Sequence, residues 1–373
     1  MSKKRDHLFL CLEVFLQEGG IQSYLQDVFH AYSKLNYHGE VWVLRDKFTP
    51  ENHNSFAGLK FRCFAHQSPI IGRLNFTRAL LQYLIFQRPS HVYCTHIKLA
   101  NLTGLLCNTL QIPYTVLTYG KEVWKQVSTN ERQALEEAQA IWTISNYSAR
   151  LTALHNQLNA DKFRLLPCVV DEEKFTIQPK PPQLLAKYQL TNQRVLLTVA
   201  RLWATDIYKG VDVTIRALPQ ILAVFPDVVY LVVGRGNDQP RLAQLAKDLG
   251  VEKQVIFAGF IPNDELVAHY QVCDAYIMPS QEGFGIVYLE AMCCGKPVLS
   301  GDDDGSSDPL QNGRLGWQVP HRDVDAVAQA CMEILQGHDV RCDGRFLRDE
   351  TIKKFGQTIL HQRLQALIMN YKL

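Results

Sequence analysis

The sequence is poor in the features that mark membrane, disulfide-rich and strongly charged proteins. No apolar stretch in its 373 residues approaches the roughly 20 residues that a membrane-spanning helix requires. Its 10 cysteines include no CxxC pair and several lie in apolar runs, which predicts reduced thiols and a cytoplasmic protein. The 39 basic and 37 acidic residues leave a net charge of +2, which argues against nucleic acid as a partner.

The sequence also lacks the fingerprint of dinucleotide-binding enzymes. Neither half opens with GxGxxG, and Gly234-Arg235-Gly236 has no third glycine. This argues against a dehydrogenase. There is no short internal repeat and no low-complexity tract.

Short apolar runs alternate with amphipathic helical patterns in both halves of the chain. Runs of Val, Ile and Leu without polar alternation are typical of strands buried on both faces of a parallel sheet. The predicted strands are Leu8–Leu16, Glu40–Leu44, Lys60–Phe64, His91–Thr95, Tyr114–Thr118, Ala140–Ile144, Val195–Ala200, Val228–Val233, Val255–Ala258, Ala275–Met278 and Pro297–Leu299. The pattern predicts an α/β protein of two doubly wound, Rossmann-like domains.

A proline-rich segment, Phe175–Pro182, is the best candidate for a linker, because its prolines cannot continue a helix or a central strand. We therefore predict domains at residues 1–178 and 179–351, followed by a long helix from about residue 351 to residue 373. Open α/β sheets bind ligands at the carboxyl ends of their strands, so two facing sheets would form a central cleft.

The strongest chemical signal is the segment Gln281–Glu290, which follows a predicted strand and opens a helix. Gly283 and Gly285 would let the backbone approach a ligand, and the helix start offers unpaired N–H groups to an anion. The carboxylates of Glu282 and Glu290 could bind two sets of sugar hydroxyls. A helix start with a capping glutamate and a second, exposed glutamate is the structural alternative.

Two basic residues follow the first predicted strand of the second half of the chain. Arg201 follows the strand, and Lys209 precedes Gly210 at the next helix. Together they suit a diphosphate, whose charge they would hold as it departs. Two solvated surface cations are the alternative. In the first half, Gly19-Gly20 forms a turn that could bring a helix start to a phosphate, although a tight turn alone explains it equally well.

Together these motifs resemble the family 4 glycosyltransferases of the GT-B fold. The resemblance rests on the Glu282/Glu290 spacing with its Gly-Phe-Gly insert, the Arg201/Lys209 pair and the Gly19-Gly20 turn. Three further segments of the first half add to it: 145–148, 166–167 and 171–175. The resemblance implies a retaining, metal-independent transferase without a cofactor, whose donor is a nucleotide diphosphate sugar. It also implies that the C-terminal helix, residues 352–373, crosses back to the first domain.

The resemblance further implies roles for individual residues. Glu282, Arg201, Lys209 and His96 would be catalytic. The donor would contact Gly20, Gly234, Arg235, Phe260, Ile261, Gly283, Phe284, Gly285, Ile286, Val287 and Glu290. The acceptor would contact Gln22, Tyr119 and Glu122. Tyr119-Gly120 stands where many family members have His-Gly.

Three features of the sequence each allow a functional and a structural interpretation. His96 could line the cleft or be a buried histidine bonded to a backbone carbonyl. The run Asp302–Asp304 could bind a metal, but a solvated loop or helix cap is the simpler interpretation. The pattern Asn75–Phe86, with Arg73, Arg78 and Arg88, could contact a membrane surface or pack on a sheet.

The sequence thus predicts a hexosyltransferase that uses GDP-mannose or a UDP-sugar and a glycan or lipid-linked acceptor in polysaccharide or glycolipid biosynthesis. Peripheral contact at the inner face of the membrane, through the first domain, is part of this prediction. A catalytically inactive subunit that binds nucleotide sugar or glycan is the alternative from another class. An epimerase would need poised histidines and carboxylates, and a phosphorylase would need a cofactor lysine and a longer chain.

Overall fold

The computed structural model describes residues 6–16, 19–35, 37–47, 49 and 56–369. The described chain divides into two compact units, Met1–Val169 with Gln357–Leu373, and Val170–Gly356. The division thus falls at 169/170, nine residues before the predicted boundary. The reason lies in Val170, which donates a 2.9 Å backbone hydrogen bond to Phe355 and forms a parallel bridge with Gly356.

The first unit contains a seven-stranded parallel sheet in the order β3-β2-β1-β4-β5-β6-β7. Its strands are β1 Asp6–Cys11, β2 His38–Val43, β3 Leu59–Cys63, β4 His91–Cys94, β5 Tyr114–Thr118, β6 Ala140–Thr143 and β7 Phe163–Leu165. Its helices are α1 Gly20–Ser33, α2 Pro69–Phe86, α3 Ile97–Leu110, α4 Thr129–Glu137, α5 Asn146–Asn156 and, from the chain end, α13 Gln357–Met369.

The second unit contains a six-stranded parallel sheet in the order β10-β9-β8-β11-β12-β13. Its strands are β8 Arg194–Val199, β9 Val228–Val233, β10 Val255–Gly259, β11 Ala275–Ile277, β12 Val298–Gly301 and β13 Trp317–Val319. Its helices are α6 Pro182–Lys187, α7 Val211–Val224, α8 Gln239–Asp248, α9 Leu266–Val272, α10 Ile286–Cys293, α11 Val324–Gln336 and α12 Gly344–Phe355.

Each sheet reverses its strand order once, between β1 and β4 in the first unit and between β8 and β11 in the second. This is the doubly wound arrangement, and the prediction of two Rossmann-like units is confirmed. Buried strands lie inside both sheets: every residue of β9 is buried, as is every residue of β4. Crossover helices bury their apolar faces against these strands, as α7 does with Val213, Ile215 and Leu218.

The predicted long C-terminal helix is wrong in one respect, because it breaks at Gly356. Gly356 has an extended backbone (φ −72°, ψ 160°), and it separates α12 from α13. The bridge with Val170 holds it in that conformation. After the break, α13 packs on α1, where His361 Nδ1 donates to the carbonyl of Ala31 at 3.3 Å. Residues 370–373 of the predicted helix lie outside the described residues.

All ten cysteines are described, and no disulfide joins them. Among the described helices, none combines the length and apolar character that a membrane crossing needs.

Candidate active site

The switch point of the second sheet brings two predicted segments to one sheet edge. Strands β8 and β11 are hydrogen-bonded neighbours, so the residues after them leave the same carboxyl edge. Arg201 follows β8, and Glu282 lies in the loop after β11. A backbone hydrogen bond from Gln281 to the carbonyl of Tyr208 (3.2 Å) joins this loop to the segment before α7.

Lys209 and Glu282 form the central ion pair of this edge. The Lys209 ammonium lies 2.5 Å from Glu282 Oε1, and each side chain is only 16% exposed. Burial opposes the charge on Lys209, but Glu282 and Tyr208 outweigh it and raise the pKa of the ammonium. Lys209 is therefore cationic at neutral pH. Two side chains 73 positions apart in sequence thus meet as predicted from their motifs.

Arg201 lines the same pocket as Lys209. Its guanidinium forms an ion pair of 3.1 Å with Asp206, and its side chain is 63% exposed. The residues between the two cations form a short 3-10 segment, Ala204–Lys209, that is kinked at Asp206. The guanidinium is therefore accessible to an anion, whereas Lys209 is held deeper in the pocket.

The Gly-Phe-Gly insert builds the start of α10. Gly285 has a φ of +88°, and a Cβ there would lie 2.4 Å from the Tyr288 ring, so only glycine fits. The side chain of Phe284 is 1% exposed and packs on Phe355 at 5.6 Å between ring centroids. Ile286 and Val287 are the first two residues of α10, and N–H groups at the start of a helix generally have no acceptor in the preceding turn. The backbone here, rather than the Phe284 side chain, is available to a ligand.

Glu290 lies on α10 and is bonded to a tyrosine. The Tyr270 hydroxyl donates to Glu290 Oε2 at 2.6 Å. Burial raises the pKa of Glu290, while the hydrogen bond from Tyr270 lowers it. Burial also raises the pKa of Tyr276, and the carboxylates of Glu282 and Glu290 both add to that rise. The charges of both glutamates therefore raise the pKa of the same buried hydroxyl, that of Tyr276.

A cation–π pair marks the ends of β9 and β10. The Arg235 guanidinium lies 4.6 Å from the centroid of the Phe260 ring, which is 45% exposed. Gly234, the residue before Arg235, donates a 2.8 Å backbone hydrogen bond to Gly259. Ile261 is buried. The structure thus brings the four residues of these predicted base-contacting segments to one edge.

A pocket at the switch point of the first sheet holds the predicted Gln22 and His96. It is lined by Leu12, Glu13, Ile21, Gln22, Leu25, Arg45, Thr95, His96 and Lys98. Gly20 begins α1, and nothing lies within 4 Å of the position a Cβ would take there. Gln17 and Glu18, which directly precede the predicted Gly19-Gly20 turn, lie outside the described residues.

His96 is a neutral hydrogen-bond donor in this pocket. Its Nδ1 accepts from the Lys98 backbone N–H at 3.2 Å, so the ring proton lies on Nε2. Burial, together with smaller effects of the Lys98 and Arg45 charges, lowers the pKa of His96 to about 4. The His96 side chain thus caps α3 by accepting from a backbone N–H. The alternative for His96, a buried histidine bonded to a backbone carbonyl, predicts a different partner.

The side chains of Tyr119 and Glu122 both form hydrogen bonds to backbone groups of the first unit. Tyr119 is 5% exposed and donates its hydroxyl to the carbonyl of Thr95 at 2.7 Å. Glu122 Oε1 accepts from the Tyr119 backbone N–H at 2.6 Å. Their predicted contact with the acceptor stays a prediction, and it would have to compete with these bonds.

The sequence interpretation missed the role of the acidic run. Asp302 and Asp303 are exposed, but Asp304 is fully buried and caps a short helical turn through Ser306. Its Oδ2 also accepts from the Glu282 backbone N–H at 2.6 Å. The predicted alternative of a solvated loop or helix cap is therefore confirmed, with the solvated loop at the first two aspartates and the cap at the third, but the bond from Asp304 to Glu282 was not predicted. Within the described residues, no group of three or more His, Cys, Asp and Glu could hold a metal.

Comparison with known proteins extends these observations. Residues 183–343 match the family of glycosyl transferases group 1. A GDP-mannose-dependent alpha-(1-6)-phosphatidylinositol monomannoside mannosyltransferase of Mycolicibacterium smegmatis is 33% identical over 232 residues, 58% of this chain and 59% of the relative. A phosphatidyl-myo-inositol mannosyltransferase of the same organism is 32% identical over 161 residues, 43% of this chain and 41% of the relative. The chain thus spans about three-fifths, or less, of the length of these relatives.

Solved structures resemble the chain over nearly its whole length. HepE from Anabaena in complex with UDP has a TM-score of 0.83 at 19% identity and covers 98% of this chain and 100% of its own. A glycosyltransferase from Rickettsia africae has a TM-score of 0.81 at 18% identity and covers 99% and 98%. At this identity the likeness shows the fold, and the predicted GT-B class is confirmed. The chain therefore has the fold of the GT-B glycosyltransferases, and residues 183–343 of its second unit are similar to the glycosyl transferases group 1 family.

Proposed function

We propose that the chain is a retaining glycosyltransferase that transfers a hexose from a nucleotide diphosphate sugar to a glycan or lipid-linked acceptor. The observation that carries the proposal is the Lys209–Glu282 pair beside the start of α10. A cation, a carboxylate and a helix start within one loop system are what a diphosphate joined to a polyhydroxy ring needs. The two side chains neutralise each other across this contact, and a bound donor would replace it for both, with the diphosphate on Lys209 and the sugar hydroxyls on Glu282.

The proposed roles follow the charges at this edge. Lys209 and Arg201 bind the diphosphate and hold the negative charge that builds on it as the glycosidic bond breaks. Glu282 accepts hydrogen bonds from the sugar hydroxyls, and Glu290 from those of the ribose. The Arg235–Phe260 pair offers an exposed, flat, cationic surface to the base.

The donor sugar is proposed to be mannose carried by GDP. Two relatives, at 33% and 34% identity, are GDP-mannose-dependent by name, whereas the UDP-bound structures are only 18–20% identical. The same relatives act on phosphatidylinositol mannosides, which supports a lipid-linked acceptor here. The pocket of Gln22 and His96 in the first unit is the proposed acceptor site, because it presents an amide and a neutral N–H donor to hydroxyl groups.

Transfer with retention would place the acceptor oxygen on the face that the diphosphate leaves. The bond from the anomeric carbon to the phosphate oxygen breaks, the bond to the acceptor oxygen forms, and the acceptor proton passes to the departing diphosphate. We further propose that no divalent metal is required, since Arg201 and Lys209 supply the opposing charge. Transfer that survives excess EDTA supports this, and transfer lost with EDTA and restored by Mg²⁺ contradicts it.

A donor screen followed by a transfer assay tests the proposal. Thermal unfolding is measured with GDP-mannose, UDP-glucose and ADP-glucose, because a ligand that binds only the folded protein raises the melting temperature. Transfer is then measured for the wild type and for Lys209→Ala and Glu282→Ala, with Glu252→Ala and Lys253→Ala as exposed controls in the same unit. Loss of transfer in the first two variants alone supports the roles, and full activity in both contradicts them.

The predicted alternative was a subunit that has lost catalysis. The comparisons give it no support, since the named relatives are transferases. Nucleotide binding without transfer or donor hydrolysis in the wild type would favour it over an enzyme.

We also propose that α2 binds the surface of an anionic membrane. Its inner face packs Phe76, Leu80 and Leu84 into the core of the first unit, as the packing alternative expected. It also exposes large apolar side chains, which are Ile70 (68%), Ile71 (44%), Leu74 (64%), Leu81 (40%), Ile85 (45%) and Phe86 (77%). Arg73 and Arg78 are exposed on the same helix, and such a combination suits anionic lipid headgroups.

Sedimentation with vesicles tests the membrane proposal. We expect binding to vesicles of phosphatidylcholine with phosphatidylglycerol and weaker binding to phosphatidylcholine alone. Leu74→Ser with Phe86→Ser should abolish it. Leu105→Ser with Leu154→Ser, which changes residues 65% and 64% exposed elsewhere in the unit, should not. Equal binding by both double variants would contradict the role of α2.

A further inference from the structure

The backbone of Glu282 is held on both sides by the segment that follows β12. Its N–H donates to Asp304 Oδ2 at 2.6 Å, and its carbonyl accepts from the Gly305 N–H at 2.8 Å. A Cβ at Gly305 would lie 1.9 Å from the carbonyl oxygen of Gly283, so the two segments are in contact along their backbones. The loop that carries Glu282 is thus fixed by a neighbouring loop rather than by its own helix.

Asp304 is itself anchored. Its other oxygen, Oδ1, accepts from the Ser306 N–H at 2.8 Å, and the Ser306 hydroxyl is hydrogen-bonded to the same oxygen. The residue is 0% exposed, in contrast to Asp302 and Asp303 directly before it. A buried carboxylate needs such donors to remain charged. Here the donors are two backbone N–H groups and one hydroxyl, with no cation among them.

We propose that Asp304 is a positioning residue for Glu282: its carboxylate fixes the loop that places Glu282 beside Lys209, so that transfer depends on the ionised form of Asp304. The effect on transfer rests on the proposed function, whereas the contact between Asp304 and Glu282 does not. Protonation would place an O–H against one of the N–H donors and break one of the bonds that hold the loop.

The environment of Asp304 places this protonation in the neutral range. Burial, with a smaller effect of the Glu282 charge, raises the pKa of Asp304 to about 7 against the opposing effect of the hydrogen bonds from Ser306 and Glu282. We therefore expect transfer to increase as the pH rises through about 7. The titratable and charged groups around Asp304 are Glu282 in the loop after β11, Lys209 paired with Glu282, Tyr288 on α10, and Asp302, Asp303 and Asp308 on its own segment.

Hydrogen exchange tests the contact without any substrate. The exchange rate of the Glu282 amide is measured at pH 7.5 in the full-length wild type, Asp304→Ala and the exposed control Asp303→Ala. We expect the rate to rise at least tenfold in Asp304→Ala and to stay unchanged in Asp303→Ala. Thermal unfolding shows whether each variant folds, and Asp304→Asn, which keeps the side-chain size, replaces Asp304→Ala if it does not. Wild-type protection of Glu282 in a folded Asp304 variant overturns the inference.

The pH dependence of kcat tests the consequence. We expect Asp304→Asn to have a kcat lowered about 10- to 100-fold above pH 7, the range expected when a reacting group is misplaced by about 1 Å, and to lose the rise seen in the wild type. Ser306→Ala removes a hydrogen bond that stabilises the ionised carboxylate of Asp304 and should therefore raise its pKa. The increase of kcat with pH should then occur at higher pH in this variant than in the wild type. A merely structural residue would lower activity equally at every pH.

The outcomes separate the two proposals. An Asp304→Asn profile that matches the wild type overturns the positioning role while leaving the proposed function intact. A wild type that protects the Glu282 amide but transfers no sugar from any donor overturns the proposed function and leaves the contact standing.

Discussion

The hydroxyl of Tyr270, on α9, donates a 2.6 Å hydrogen bond to the carboxylate of Glu290 on α10. Burial raises the pKa of Glu290, and this bond is the largest effect that lowers it. Tyr270→Phe should therefore raise the pKa of Glu290 and weaken its contact with a ribose. We expect the KM for the nucleotide sugar to rise roughly tenfold, the effect of losing a hydrogen bond to a charged group, with a smaller change in kcat.

Steady-state kinetics with varied donor measures this effect. Tyr188→Phe is the matched control, because its hydroxyl bonds His269 instead of a site carboxylate. The same donor KM in Tyr270→Phe and Tyr188→Phe would show that Glu290 does not contact the donor.

A methyl group at Gly285 should destabilise the protein more than one at Gly337. Both glycines have a positive φ, +88° and +73°, so alanine is strained at either position. A Cβ at Gly285 would also lie 2.4 Å from the Tyr288 ring, whereas nothing lies within 4 Å of one at Gly337. We expect Gly337→Ala to lower the free energy of unfolding by about 1 kcal/mol, the cost of the left-handed conformation, and Gly285→Ala to lower it by more.

Urea denaturation of the two variants measures the difference. Gly285→Ala should in addition weaken donor binding, because the first turn of α10 would move with Tyr288. Equal free energies of unfolding would show that the ring moves aside without cost.

The first unit should lose stability in mild acid through His91. Burial lowers the pKa of His91 to about 3, and the ring is hydrogen-bonded to Thr115 Oγ1 at 2.8 Å. Between pH 6.5 and 3 the unfolded chain therefore binds a proton that the folded chain does not, so the free energy of unfolding falls as the pH falls. The expected loss from this one residue is about 1.4 kcal/mol per pH unit in that window.

His91→Gln should remove part of this acid sensitivity. Urea unfolding at pH 7.5 and pH 5 compares the wild type, His91→Gln and the exposed control His338→Gln. The loss between the two pH values should be smaller by about 2 kcal/mol in His91→Gln and unchanged in His338→Gln. An unchanged loss in His91→Gln would mean that another group is responsible.

Gln22→Ala should affect the acceptor and not the donor. Gln22 lines the pocket of the first unit, and its amide oxygen lies over the helix start at Gly19. We expect the KM for the acceptor to rise roughly tenfold, as for one lost hydrogen bond with a buried partner left unpaired. Hydrolysis of the donor in the absence of acceptor should be unchanged. Gln139→Ala, an exposed position in the same unit, is the control, and a rise in donor KM would contradict the assignment.

The sequence predicts the long apolar strand β9 fully, but it misses one edge strand of each sheet, β7 and β13. Val228–Val233 is found with the predicted bounds, because a run of six apolar residues can only be buried on both faces. The edge strands Phe163–Leu165 and Trp317–Val319 have three residues each, and the first is partly exposed, so neither has a periodicity to detect. The first strand ends at Cys11 rather than at Leu16, because the N–H groups of Val14 and Phe15 bond the Asp46 carboxylate instead of a neighbouring strand.

The candidate site likewise contains residues that the sequence could predict and residues that it could not. Lys209 and Glu282 could be predicted because each stands next to a glycine turn at the end of a strand, and the sheet topology brings such turns together. The helix cap at the acidic run could be predicted too, but the burial of Asp304 and its bond to Glu282 could not, because only the tertiary structure separates this aspartate from its exposed neighbours. The C-terminal break was equally hidden, since Gly356 is extended only through its bridge to Val170.

The bridge between Val170 and Gly356 has a practical consequence for genetic engineering of the chain. Because the two ends of the segment 170–356 are adjacent, this segment is topologically an insertion into a host made of residues 1–169 and 357–373. It can be cloned as one continuous gene fragment with its termini side by side. The host requires a splice of residue 169 to residue 357, and a truncation after residue 178 would instead deprive it of α13 while leaving part of the insert attached.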